Sequence, residues 1–126
     1  MPATVLVVDD SMVLRSSVKY TLTTVGIDVA EAKDGRDGLD VLSKLIASGK
    51  RPAMIISDIN MPVMDGITFI KEVKKTDCRH VPVLVLTTES QPHMKTEGKE
   101  AGAAGWLVKP FREAQLIAVV KKFVRN

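Results

Sequence analysis

The chain of 126 residues, 45% apolar and 26% charged, is long enough to close one hydrophobic core and leaves no room for a second domain of ordinary size. Its longest early apolar run, Val5 to Val8, meets Asp9 and Asp10 at once, which excludes a signal peptide or membrane span there, and the one cysteine, Cys78, excludes an intrachain disulfide, so a soluble cytoplasmic protein is expected. The formal charge of +3 is scattered in pairs such as Lys74-Lys75 and Lys121-Lys122 near predicted helix ends, and with 4% aromatics no basic, aromatic-interleaved stripe exists to bind nucleic acid.

Short aliphatic runs alternate with longer segments of helical spacing, the pattern of a parallel sheet covered by helices. Thr4 to Val8 is the first predicted strand. A helix follows from about Met12 to Val25, because Leu14, Val18, Leu22 and Val25 share a face and Gly26 supplies a stop. The second strand, Asp28 to Ala32, leads to a helix with a stripe of Leu39, Leu42, Leu45 and Ile46. The third strand, Ala53 to Ser57, leads to one with Ile67, Ile70 and Val73. After the fourth strand, Val81 to Leu86, the helix at Pro92 to Ala101 offers only Met94 and Ala101 as apolar anchors, with Gly98 inside. Burial and propensity therefore hold it less firmly than its neighbours. A fifth strand, Gly105 to Val108, and a helix with Leu116, Val119, Val120 and Phe123 complete the pattern, with no linker, repeat or low-complexity stretch.

In an open parallel sheet, ligands bind outside the carboxyl ends of the strands. Here those ends carry Asp9-Asp10, Asp58, Thr87-Thr88 and Lys109. Singly, each has an ordinary explanation as a helix cap, a strand end or a surface charge. Together they bring three carboxylates, a hydroxyl and an ammonium to one rim. Carboxylates so close repel one another unless a cation compensates, and an oxygen-only set suits Mg²⁺ better than zinc, since neither His80 nor His93 has metal-ligand spacing. With Lys109 added, the site approaches neutrality and has room for an anion such as phosphate. Phosphoryl transfer needs a nucleophilic oxygen, a metal and donors for the product, roles that Asp58, Mg²⁺, Thr87 and Lys109 fill. The loop from Ile59 to Gly66 lets the main-chain carbonyl of Asn60 reach the metal, its Pro62 and Gly66 shaping the turn.

The segments VLVVDDS (Val5 to Ser11), SDINMPVMDG (Ser57 to Gly66), LTTES (Leu86 to Ser90) and GWLVKPF (Gly105 to Phe111) stand in the order and spacing of the receiver domain of two-component response regulators, which the chain resembles throughout, most of all the stand-alone, CheY-like chemotaxis regulators. The resemblance implies a flavodoxin-like (βα)5 fold with strand order 2-1-3-4-5, in a single domain without an output domain. It implies that Asp58 is the phosphoacceptor, that Asp10 is a direct metal ligand, that Asp9 acts largely through a water on the metal, and that Asn60 supplies its carbonyl. Thr87 is the hydroxyl that follows the phosphoryl group, and Lys109 its partner ahead of a cis bond to Pro110. Asn60 and Glu89 flank the path of the hydrolytic water, which implies self-dephosphorylation. Trp106 replaces the usual Tyr or Phe of the switch, and Thr88 a common Ala or Gly, two changes expected to crowd it.

The function so implied is that of a monomeric switch rather than a metabolic enzyme. It takes phosphate from a CheA-like sensor histidine kinase and signals through the face of the fourth helix, fifth strand and fifth helix. The expected target there is a flagellar motor switch protein, and a phosphatase is a possible further partner. Two alternatives remain open: a phosphorelay intermediate or phosphate sink serving a histidine phosphotransfer protein, and a Mg²⁺-dependent phosphatase with an aspartyl-phosphate intermediate. The second usually carries an Asp-x-Asp pattern at the first strand, whereas the acids here are adjacent. A nucleotide site is disfavoured, because neither a GxxxxGK-type loop nor a GxGxxG turn is present.

Overall fold

In the computed structural model, which describes residues 2–124, strands and helices alternate as the sequence pattern requires. The order is β1 (Thr4–Val8), α1 (Met12–Thr23), β2 (Asp28–Ala32), α2 (Gly35–Ala47), β3 (Met54–Ser57), α3 (Gly66–Val73), β4 (Val83–Thr87), α4 (Pro92–Ala101), β5 (Gly105–Val108) and α5 (Glu113–Phe123). The strands pair in parallel in the order β2-β1-β3-β4-β5. The winding therefore reverses between β1 and β3, and a crevice opens at their carboxyl ends.

Alternate residues of each strand enter opposite layers. Val5, Val7, Ile56, Leu84 and Leu86 pack with Val18 and Leu22 of α1 and Leu116 and Val120 of α5. Leu6, Val8, Ile55, Val83 and Val85 pack with Leu42 of α2, Phe69 and Ile70 of α3 and Ala101 of α4. Two covered faces are the reason β1, β3 and β4 read as continuous apolar runs. Complete burial of a side chain such as Leu6 or Phe69 contributes about 1.5–3 kcal/mol.

Local chemistry starts the helices. The side chains of Ser11, Asp34 and Asp65 accept the amides of Leu14, Asp37 and Thr68 at 3.2, 2.8 and 2.8 Å, opening α1, α2 and α3. Helix α4 lacks such a cap, begins at Pro92, ends at Gly102 in a left-handed conformation (φ 117°), and buries only Gly98 and Ala101, in keeping with its weak apolar face. Several limits differ from the sequence reading. Helix α1 stops at Thr23, because the chain tightens through i→i+3 bonds into the turn at Gly26. Strand β4 starts at Val83 rather than Val81, since Pro82 has no amide to give the ladder, and it runs on through Thr87. Strand β3 begins at Met54, one residue late. Phe123 is 37% exposed, because Val124 takes the last core position after Val120. No helix among the described residues is long and apolar enough to cross a membrane.

Gly66 closes the turn after β3, its amide donating to the Ile59 carbonyl at 2.8 Å, and a Cβ there would collide with the Asp58 carbonyl oxygen. Gly66→Ala should therefore cost about 3 kcal/mol, the upper end of overpacking effects, read as a lower urea midpoint with unchanged slope.

Candidate functional site

The rim is built by residues that the sheet still holds. The Asp9 amide donates to Ala32 O at 3.1 Å, the Asp58 amide to Val8 O at 3.0 Å and the Lys109 amide to Thr87 O at 2.7 Å, so each continues its strand's ladder by one step. Their side chains meet in front of the sheet. Lys109 Nζ donates to Asp9 Oδ2 at 2.9 Å and to Asp58 Oδ2 at 3.1 Å. The remaining oxygens are also engaged: Asp9 Oδ1 accepts the Ser11 amide at 2.8 Å, and Asp58 Oδ1 accepts those of Ile59 at 2.6 Å and Asn60 at 3.3 Å. Asp10 is exposed beside them. One carboxylate oxygen each from Asp9, Asp10 and Asp58 lie within 4.8 Å of one another, the one such group of potential metal ligands among the described residues.

The other sequence-predicted residues sit behind this rim. Thr87 is fully buried, and its Oγ1 accepts the Glu89 amide at 3.2 Å. Trp106 is half-buried, and its indole N–H donates to the Glu89 carbonyl at 3.1 Å. A Cβ on Gly98 would lie 2.7 Å from Trp106 Cζ3, so the glycine inside α4 makes room for the indole. The Glu89 carboxylate accepts the Gln91 amide at 3.4 Å. Thr88 does not crowd the switch as expected. It is exposed and lines an open groove with Leu14, Ser17, Lys109 and Pro110, because the residue after buried Thr87 points out of the sheet. The Lys109–Pro110 bond is cis. Two participants escaped the sequence reading. Arg15 Nη1 donates to the Asp9 carbonyl at 2.6 Å, and Arg15 Nε donates to Glu31 at 3.1 Å. A cation four positions into a helix, where the dipole favours anions, was the available signal.

Charge decides what the rim accepts. Burial pushes the Asp9 carboxyl above its ordinary range, against the opposing pull of the Ser11 amide and the Lys109 ammonium, with Asp58 adding to the rise. Burial alone would lower Lys109, but its bonds to Asp9 and Asp58 prevail and hold it above its usual value, a cation at neutral pH. One ammonium against three carboxylates leaves an excess equal to the charge of one divalent cation. The donors are all hard oxygens, spread about as widely as the roughly 4.2 Å that separates opposite ligands of Mg²⁺. The acidic residues therefore fit Mg²⁺. Among the described residues, the Asp10 carboxylate contributes charge without a hydrogen bond to the fold. In EDTA, Asp10→Asn should raise the thermal midpoint by a few degrees, about 1 kcal/mol of relieved repulsion. At Mg²⁺ one hundred times its dissociation constant the parent should gain about 2.7 kcal/mol. The variant should gain much less, and differential scanning fluorimetry reads both effects.

Residues 5–121 match the family model described as response regulator receiver domain. The chain is 41% identical over 122 residues to the transcriptional regulatory protein PrrA of Mycobacterium tuberculosis, covering 97% of this chain and 50% of PrrA. It is 37% identical over 126 residues to the response regulator MprA of Mycolicibacterium vanbaalenii, covering 100% of this chain and 52% of MprA. The chain thus spans about half the length of these relatives. Among solved structures, the chemotaxis protein CheY4 of Vibrio cholerae superposes with a TM-score of 0.87 at 43% identity, covering 98% of this chain and 100% of that one. Over nearly its whole length the chain belongs to the response regulator receiver domain family, the phosphoacceptor switches of two-component signalling.

Proposed function

We propose that Asp58 accepts a phosphoryl group from a phosphohistidine of a CheA-like sensor histidine kinase and that the resulting acyl phosphate changes affinity for a target. The observation that carries this reading is the Lys109 ammonium held between Asp9 and Asp58, a partly buried cation beside the carboxylate that would gain phosphate. In the transfer, an Asp58 oxygen attacks phosphorus as the N–P bond breaks. The electron pair leaves with the imidazole nitrogen, which then takes a proton. The Ile59 and Asn60 amides orient the carboxylate, and Lys109 exchanges Asp58 Oδ2 for a phosphoryl oxygen. Asp10, Asp58 and the Asn60 carbonyl, with Asp9 behind them, are the groups that would hold Mg²⁺. When bound, it neutralises charge on the transferring oxygens. Asn60 and Glu89 flank the approach of water, so the chain also catalyses its own dephosphorylation.

Output runs through the Glu89 peptide, which is gripped at both ends. Its amide donates to Thr87 and its carbonyl accepts from Trp106. Thr87 keeps its hydroxyl hydrogen for a phosphoryl oxygen. As it moves toward that oxygen it draws on Glu89 and loosens the indole bond, shifting the population of α4–β5–α5 conformers. For the target at that face we favour a flagellar motor switch protein, in line with a likeness that takes in all of CheY4. The second reading, favoured by the half-length match to PrrA, is that the same switch governs a transcription-regulating part of a longer protein. Phosphorylation-dependent binding of the motor protein supports the first, equal binding in both states points to a phosphate sink or relay, and no binding in either state leaves the second.

With Mg²⁺ and acetyl phosphate, intact mass spectrometry should show one labile phosphoryl adduct on the parent, with a change in Trp106 fluorescence. Asp58→Asn should show neither, and retained uptake would overturn the acceptor assignment. Lys109→Arg should still take up phosphate but lose most of the fluorescence change, because a planar guanidinium cannot reproduce the ammonium's reach to both carboxylates. A parental response would remove Lys109 from the switch.

A further inference from the structure

Two of the three clustered carboxylates sit on consecutive residues between β1 and the N-cap Ser11, yet they are held very differently. The Asp9 carboxylate is buried and bonded to Ser11 and Lys109. The Asp10 carboxylate is exposed and has no hydrogen-bond or ion-pair partner among the described residues. What keeps Asp10 within reach of the cluster is the backbone that precedes it. The plane of the Asp9–Asp10 peptide is fixed by its carbonyl, which accepts Arg15 Nη1 at 2.6 Å. Arg15 is held in turn by Glu31 of β2, through Nε at 3.1 Å, and its side chain is only 14% exposed. Lys19 lies 3.9 Å from the other Glu31 oxygen.

From this arrangement we infer that Arg15, oriented by Glu31, is a positioning residue for the divalent cation: it sets the peptide plane from which Asp10 enters the coordination shell. The inference rests on the metal reading above. Electrostatics alone argues the other way. A guanidinium near a cation site repels the ion, and in the second turn of a helix it opposes the dipole. What offsets both costs is the planar fork: two separate nitrogens, Nε and Nη1, reach the Glu31 carboxylate and the Asp9 carbonyl together, a pair of positions that one ammonium nitrogen does not reproduce.

Positioning and simple repulsion thus predict opposite signs. Titration calorimetry with Mg²⁺ should find Arg15→Ala weakened about tenfold, the usual effect of removing a group that orients a metal ligand, although a positive charge has been lost. Arg15→Lys keeps the charge, cannot span both partners, and should weaken binding several-fold, which covers the case in which the alanine variant fails to fold. Lys19→Ala should bind as the parent or slightly tighter. At saturating Mg²⁺ the rate of phosphoryl uptake from acetyl phosphate should return to the parental value in Arg15→Lys, since only the loading of the site is impaired. If the parent binds Mg²⁺ and both Arg15 variants bind it as tightly or more tightly, the positioning role is overturned and the metal reading stands. Absence of binding in the parent would overturn the metal reading itself.

Discussion

The constraint on which this molecule depends is the crowding of like charges at the end of an otherwise apolar sheet. Asp9, Asp10 and Asp58 converge because the ends of the neighbouring strands β1 and β3 lie side by side, and the sheet leaves them little freedom to separate. Lys109 moderates the repulsion by bonding to two of them, and the main-chain amides of Ser11, Ile59 and Asn60 take up further oxygens. What is left is an excess of negative charge that suits a divalent cation. Stability has been given up there for binding, a common pattern in functional sites.

A second strain lies in the loop that follows Asp58. Val63 adopts a φ of 69°, unfavourable for a β-branched residue, while the Met64 amide turns back to the Pro62 carbonyl at 2.7 Å. Such a conformation costs of order 1–3 kcal/mol and persists only where the surroundings enforce it. Here they do. Gly66 presses against the Asp58 backbone, and the Met64 side chain packs against Gly35 at the start of α2, whose amide bonds the Met64 carbonyl at 3.3 Å. The loop carrying the Asp58 amide donors is thereby tied to both α2 and α3.

The rear of the site is less firmly held. Helix α4 buries only two of its residues, lacks a side-chain cap, and yields its interior glycine to the Trp106 ring. Local opening is easiest where apolar contacts are few. A tether from Thr87 through Glu89 therefore ends at Trp106 of β5, whose ring rests against this weakly held helix. This is the property that the proposed switch requires of the surface at α4 and β5.

Periodicity and strand-end chemistry were legible in the chain itself: five apolar runs, four helical stripes with a weaker fourth helix between them, and the acids, hydroxyl and lysine that close four strands. They could be read because strand alternation, helix caps and turn residues are local, and because polar residues that are ordinary singly become informative when several strand ends of one parallel sheet carry them. Details decided by neighbours could not be read. Phe123 lost its core place to Val124, Thr88 turned outward, Gly98 proved to be the seat of Trp106, and Arg15 reached back to the carbonyl of Asp9. The sequence by itself determined the class of fold and which side chains gather at the rim, since both follow from patterns a few residues long. Only the tertiary structure decided which of those groups bond to one another and which residues hold them, because those contacts join β1 to β5 and α1 to β2 through geometry that no local pattern encodes.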